Sequence, residues 1–332
     1  MPSIITLYPL DKKLVLPKPQ EEAPREKVAL LSESGRLIST RKRDGWGSAS
    51  ATTGLRKHPV ALYTRGGNEI TENFPAVVEE LRSLALPKDI LVTSEIFWTS
   101  GSGVREDLGA LSGLAQASPE NARKTQEKTG SARLMLFTPL IIKGKDVSSL
   151  PYHKRAEQVA EWLDKRDHEL LSRMEHLTED FAALQKRVVK ESWEGLVLYD
   201  ADAGTAFETN GRHEKPPRPD GCWKWKPLFE ADFVATKFEP GTGKNTGLAG
   251  KIYIAQIDSR TGQLFPCGEV PLHKKEHKIL FANKAIYPIV VEVAYEIRTP
   301  KGALRTSSVL RERSPLDKKI EECILPEKFW KK

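Results

Sequence analysis

The run Lys42-Arg43-Asp44-Gly45 sets an amine two residues from a carboxylate, with arginines at 41 and 43. In an extended strand Lys42 and Asp44 share one face and Arg41 and Arg43 the other, while Gly45 lets the backbone turn sharply or approach a ligand. A lysine beside two cations gives up its proton more readily, so buried against a substrate it could act as a nucleophile. The same residues also read as a solvated charge cluster. Lys224 and Lys226 lie two apart in a strand-like run, which turns both ammonium groups toward one place where they could neutralise a phosphate. The plain alternative is an edge strand that uses lysines against aggregation. Glu95 and Glu194 adjoin apolar runs, where a carboxylate needs an ion pair, a metal or a ligand. Phe137 lies in an apolar strand as core or as a stacking surface, and Arg65 lies on a turn from which it could reach a ribose or a phosphate.

These residues must be positioned by a mixed α+β chain. Prolines at 2, 9, 17, 19 and 24 make residues 1–27 an extended arm. Short β-prone runs follow at Val28 to Leu31, Leu37 to Arg43 and Val60 to Thr64, with a turn at Gly66-Gly67. Apolar spacing predicts a helix from Phe74 to Leu84, and Ile90 to Trp98 returns to strand. Residues 99–131 read as an excursion with one helix, Leu134 to Ile142 as strand, and Tyr152 to Lys190 as two helices broken near Asp164 to Asp167. Strands at Leu196 to Tyr199, Trp223 to Lys226 and Phe233 to Thr236 flank a surface loop from Ala203 to Gly221. Glu239-Pro-Gly-Thr-Gly243 reads as a hinge, and the strands beyond it, Lys251 to Ile257, Ile286 to Arg298 and Leu304 to Leu310, suggest a small OB-type barrel. The expected domains are therefore an arm at 1–27, a first domain at 28–237 and a barrel at 238–332.

The formal charge of +7 resides wholly in the last third: from residue 237 onward there are 18 basic and 11 acidic residues, against 34 and 34 before it. Such an excess suits a polyanion-gripping domain or plain solubility. Three widely spaced cysteines offer neither a disulfide framework nor a CxxC zinc site, which fits a reducing cytoplasm. Met1 to Leu10 lacks a basic lead and meets Asp11, Lys12 and Lys13 too soon for a signal core, so neither anchor nor export is expected. Neither Gly243-Lys244 nor Gly250-Lys251 has the glycine five positions earlier that a Walker A loop requires. His273 to His277 matches HxxEH spacing, but lies in a polar link between barrel strands and reads as a phosphate-facing basic turn.

The order of the motifs is itself informative. After Lys42 come Tyr63-Thr-Arg65-Gly-Gly67, Ser94-Glu95-Ile96, the strand with Phe137, Glu194-Gly-Leu-Val-Leu198, Trp223-Lys-Trp-Lys-Pro227 and Arg305-Thr-Ser-Ser-Val-Leu-Arg311-Glu-Arg313 through Asp317-Lys318. This series resembles the covalent nucleotidyltransferases, most closely the ATP-dependent DNA ligases, from about Lys42 to Lys319. The resemblance implies an antiparallel-sheet, ATP-grasp-like nucleotidyltransferase domain followed by an OB barrel. It implies that Lys42 attacks the α-phosphate of ATP to give lysyl-AMP, with Asp44, Lys224 and Lys226 in the catalytic set. Thr40, Arg41, Arg65, Glu95, Phe137 and Glu194 would line the nucleotide, Phe137 stacking on adenine; Asp44, Glu95 and Glu194 would hold Mg²⁺ or ribose. Arg305, Arg311, Arg313, Asp317 and Lys318 would orient pyrophosphate on domain closure, with DNA binding alone as their competing role. The implied enzyme is a cytoplasmic, monomeric nick sealer of duplex DNA in a bacterial or virus-infected cell. Three departures bear on nucleotide contacts: Gly47 stands where an arginine is usual, Thr40 where an acidic residue is common, and Tyr199 where a lysine or arginine often closes the glutamate motif. An RNA ligase or an mRNA-capping guanylyltransferase would use the same lysine, and a non-catalytic nucleic-acid-binding OB protein is the alternative of a different class.

Overall fold

The computed structural model describes residues 16–52, 59–84, 86–99, 106–205, 218–299 and 301–329. The chain divides into two compact units, Met1–Trp225 and Lys226–Lys332, so the division falls ahead of the boundary drawn at 237 from the sequence. The Glu239 to Gly243 segment expected to be a hinge begins at the end of a strand inside the second unit.

Two antiparallel sheets build the first unit. One runs β10 (Cys222–Trp225), β9 (Gly195–Asp200), β1 (Leu37–Lys42), β8 (His176–Leu177). The other runs β3 (Val60–Thr64), β2 (Trp46–Thr52), β4 (Leu91–Phe97), β5 (Arg133–Ile142), β6 (Lys145–Asp146), with β7 (Leu171–Arg173) parallel to β5. Helix α1 (Arg25–Glu33) sets Val28 and Leu31 against Leu184 and Val188 of α6 (Phe181–Glu191), covering the outer face of the β1 sheet at Leu196, Leu198 and Trp223. Helices α2 (Pro75–Ser83), α3 (Leu108–Gln116) and α5 (Tyr152–Leu163) cover the far face of the second sheet at Leu62, Ile96, Leu134 and Leu136. Between the sheets, Ile38 and Tyr199 of one meet Phe97, Met135 and Phe137 of the other.

Several sequence expectations are corrected. Val28 to Leu31 is helical rather than extended: Pro24 caps a helix that begins at Arg25, where a proline just ahead is tolerated, and so the arm ends sooner than residue 27. The excursion holds two helices, α3 and α4 (Pro119–Thr129), each capped by a side chain, Asp107 and Ser118; residues 100–105 of it lie outside the described residues. Between α5 and α6 the chain forms β7 and β8 rather than a simple helix break. Of the arm, residues 1–15 lie outside the described residues, as do 206–217 of the loop expected at Ala203 to Gly221.

The second unit is a five-stranded antiparallel sheet in the order β13 (Leu264–Pro271), β12 (Ala249–Ile257), β11 (Phe229–Pro240), β14 (Ile289–Tyr295), β17 (Ser308–Arg313). Among the described residues this sheet is open, with no pairing that closes it into the expected barrel. A smaller ladder joins β15 (Ile297–Arg298) to β16 (Leu304–Arg305). The expected polar link at His273 to His277 runs into α7 (Lys275–Leu280), where His277 is buried edge-on to Phe281. Among the described residues no group of three or more His, Cys, Asp or Glu could hold a metal ion, and no helix is long and apolar enough to cross a membrane.

Candidate active site

The β1 sheet sorts the motif residues by register. Lys42 stands opposite Gly195, Thr40 opposite Val197, and Val197 opposite Lys224, so Thr40, Lys42 and Lys224 share one face. The same pairing turns Leu196, Leu198, Trp223 and Trp225 to the other face, against α1 and α6. Thr40 is fully buried and donates its hydroxyl to Val197 O at 3.2 Å. From the facing sheet, β4 supplies Glu95, opposite Gly47 on β2 and Met135 on β5.

β1 ends at Lys42, so Arg43, Asp44 and Gly45 form the turn into β2 instead of continuing a strand. A carboxylate from the excursion secures that turn. Glu106 accepts from Arg41 Nη2 at 3.0 Å, from Arg43 Nη1 at 2.7 Å and from the Asp44 backbone N–H at 2.8 Å. Arg41 also lies over Trp193, and Arg43 over Phe97. The two cationic neighbours of Lys42 thus share the one carboxylate of Glu106, while the Lys42 ammonium donates to Glu194 Oε2 at 2.6 Å. Glu106 escaped sequence reasoning because a lone glutamate after a Gly-Ser-rich run carries no periodic or motif signal.

Two glycines are required by close approach. A methyl on Gly45 would collide with the Ile96 carbonyl oxygen and sit 3.0 Å from Glu95 Cγ. A methyl on Gly47 would fall within the Arg65 guanidinium, 2.6 Å from Cζ, and the Arg65 N–H donates to Gly47 O at 2.8 Å. Gly47 therefore makes the space that the Arg65 head occupies.

Burial pushes the Glu95 carboxyl up to about 7; Lys42 and Arg65 draw it down, and Glu194 and Glu106 add to the rise. Lys42, Arg65, Glu95, Glu106 and Glu194 thus act within one electrostatic neighbourhood. Phe137 packs in the cluster between the sheets. Tyr199, where a cation was to be looked for, is stacked on Tyr152 with ring centroids 4.1 Å apart and donates to Met174 Sδ. Lys224 meets a second carboxylate missed from sequence, Glu21, at 2.5 Å.

Lys226 lies past the end of β10, in the second unit, where its ammonium donates to Glu296 at 2.6 Å. The expectation that Lys224 and Lys226 share a strand is corrected accordingly. On the sheet of that unit, Glu292 binds Arg311 at 2.6 Å and Arg313 at 3.3 Å, Arg313 reaches Asp317 at 2.8 Å, and Lys318 lies 3.6 Å from Asp232. Four of the five residues of the last motif thus gather in one ion-pair network; Arg305 lies on β16.

Residues 25–215 match the family described as ATP dependent DNA ligase domain. The DNA ligase of Thermococcus fumicolans is 24% identical over 312 residues, covering 91% of this chain and 53% of that protein. This chain spans about half the length of the curated relatives it matches. Among solved structures, one from a structure-function analysis of Lig E DNA ligases superposes with a TM-score of 0.62 at 16% identity, covering 90% of this chain and 99% of that one. Another, Pmar-Lig_PreS3, gives a TM-score of 0.64 at 18% identity, covering 90% and 68%. These likenesses show a shared fold. With a family match over more than half of its length, built around the lysine-bearing sheet described above, the chain belongs to the ATP dependent DNA ligase domain family.

Proposed function

We propose that the chain seals nicks in duplex DNA through a lysyl-AMP intermediate. The observation that carries this reading is the Lys42 ammonium held on one sheet face beside Lys224 and Glu194, opposite Glu95 and Arg65. In this reading Lys42 gives its proton to Glu194, swings away and attacks the α-phosphate of ATP; the P–N bond forms as the bond to pyrophosphate breaks. Glu194, 2.6 Å from Nζ, is the base within reach of that proton. AMP then passes to the 5′-phosphate at the nick, and the 3′-hydroxyl displaces it. Lys224 and Lys226 neutralise the phosphates that each step brings to the site.

Arg65 and Thr40 line the nucleotide with Phe137 as the stacking surface, and Arg41 acts from behind the lysine loop through Glu106. The oxygen donors Asp44, Glu95 and Glu194 suit Mg²⁺, which takes one or two carboxylates together with substrate phosphates rather than an all-protein cage. The buried, protonation-prone Glu95 is a group whose charge a cation there would stabilise. When bound, Mg²⁺ supplies charge neutralisation on the phosphates. The five-stranded sheet of the second unit supports an OB-type reading, with Arg305, Arg311, Arg313, Asp317 and Lys318 acting on pyrophosphate. Nicked duplex as partner, action as a monomer and a cytoplasmic setting complete the reading; the cysteines at 222, 267 and 323 are free thiols.

The test is intact-protein mass after incubation with ATP or GTP and Mg²⁺. Wild type gains one AMP, and Lys42→Ala gains none while still binding nicked DNA. A GMP adduct would redirect the reading to capping chemistry, and no adduct on protein first stripped with pyrophosphate would leave a binding module.

A further inference from the structure

The segment ahead of α1 lies along β10 in a fixed register. Gln20 N–H donates to Cys222 O at 2.8 Å, Lys224 N–H donates to Gln20 O at 3.0 Å, and Gln20 bridges Trp223 in parallel. Side chains lock the same register: the Gln20 amide donates to Asp220 at 2.8 Å, and Arg218 Nη1 donates to Pro19 O at 3.0 Å. The next residue is thereby delivered to the motif lysine. One Glu21 oxygen lies 2.5 Å from Lys224 Nζ and the other 2.6 Å from Arg218 Nη2.

A carboxylate bridging a lysine and an arginine makes the contacts a phosphate group would make there. The surrounding charge favours the phosphate. Lys18 is held below the usual lysine range by burial and then by Arg218, with Arg65 and Lys224 adding to the effect against Glu21. Arg218 and Lys224 meet the Glu21 carboxylate directly, Lys18 lies within the field of both, and Asp220 beside them accepts from the Gln20 amide. A dianion answers that field better than a monoanion. Glu21 can be displaced because its own side chain is 65% exposed, although Lys224 and Arg218 hold its carboxyl well below the usual carboxylate range.

We propose that Arg218 and Lys224, with Lys18, form a phosphate-binding site that Glu21 of the N-terminal arm occupies as an internal stand-in, to be displaced by a phosphate of the substrate. The identity of that substrate rests on the ligase reading; the site itself does not. The phosphate can come from the nucleotide or from the 5′ end of a strand.

Calorimetric titration of the full-length protein separates these sources, with inorganic pyrophosphate as one probe and nicked duplex bearing a 5′-phosphate or a 5′-hydroxyl as the other. Glu21→Gln is expected to bind the phosphate probe about two- to five-fold tighter than wild type, and Arg218→Ala to bind it more weakly. The double variant should bind no more tightly than Arg218→Ala. Tightening for pyrophosphate alone assigns the site to the nucleotide, tightening for the 5′-phosphate nick alone assigns it to the strand end, and both together support one shared site. Unchanged or weaker binding by Glu21→Gln, repeated with Glu21→Ala to remove the amide as well, overturns the proposal. None of these readings needs turnover, so failure of Lys42 to acquire AMP would refute the ligase reading and leave this result standing.

Discussion

Gly45 and Gly47 sit two residues apart, yet a side chain at each would meet a different kind of obstacle. At Gly45 the obstacle is the Ile96 carbonyl, part of the β2–β4 ladder, which cannot yield without breaking the sheet. Gly45→Ala is expected to cost about 1–3 kcal/mol in urea unfolding. At Gly47 the obstacle is the end of a flexible Arg65 side chain. Gly47→Ala should unfold close to wild type yet lose self-adenylation to the extent expected of Arg65→Ala; full activity in Gly47→Ala would show that the guanidinium works equally well elsewhere. Glu95 adds a pH signature. Its carboxyl is pushed up to about 7 from an ordinary value of 4.5, so the folded state holds a proton that the unfolded chain has released between those values. The stability due to the protonated form is complete below 4.5 and is lost as pH rises through about 7. Glu95→Gln, which cannot ionise, should therefore gain up to about 3 kcal/mol over wild type at pH 8 and little at pH 4.5, read from unfolding curves at both values.

Helix α6 holds the outer face of the lysine-bearing sheet through Leu184 and Val188, and Asp180 caps it by accepting the Ala183 N–H at 2.8 Å. Asp180→Ala should cost about 1 kcal/mol in thermal or urea unfolding; no loss would mean that packing alone fixes the helix start. Elements with strong periodicity or β-branched runs were legible in the sequence: β1, β3, β4, β5 and α2 lie within a residue or two of where pattern places them. β2 was not, because Trp-Gly-Ser-Ala-Ser-Ala-Thr carries neither alternation nor β-branched bulk. Its small residues follow from its neighbours: Ala49 and Ala51 pack under Leu16 and Leu140, and Gly47 lies under Arg65. A strand shaped by what crosses it gives little signal of its own. Val28 to Leu31 failed in the opposite way, since a short apolar run fits helix and strand alike until α6 is there to receive it. In the candidate site the charged motif residues were legible by order and spacing, whereas Glu106 and Glu21 were not. Their contacts, with Arg41 and Lys224, depend on chain returns spanning 65 and 203 residues that no local pattern encodes.

Across the whole molecule, the basic excess beyond residue 237 is partly committed within its own unit. Lys251 is shared by Glu239 and Glu269, and Arg311 and Arg313 by Glu292. What remains is expected to give DNA binding with a steep salt dependence, log K falling by about 0.9 per phosphate contact for each tenfold rise in salt. A flat titration between low and physiological salt would remove the second unit from the DNA interface. The division between Trp225 and Lys226 has a further consequence for how such chains can be recombined. A chimera joined there would inherit Lys224 from one parent and Lys226 from the other. Each lysine would arrive with its own counter-ion, Glu21 in the first half and Glu296 in the second, so exchange of halves preserves both local pairs. What such a hybrid puts under selection is the one residue of spacing between the two amines, with their ion-pair partners held constant.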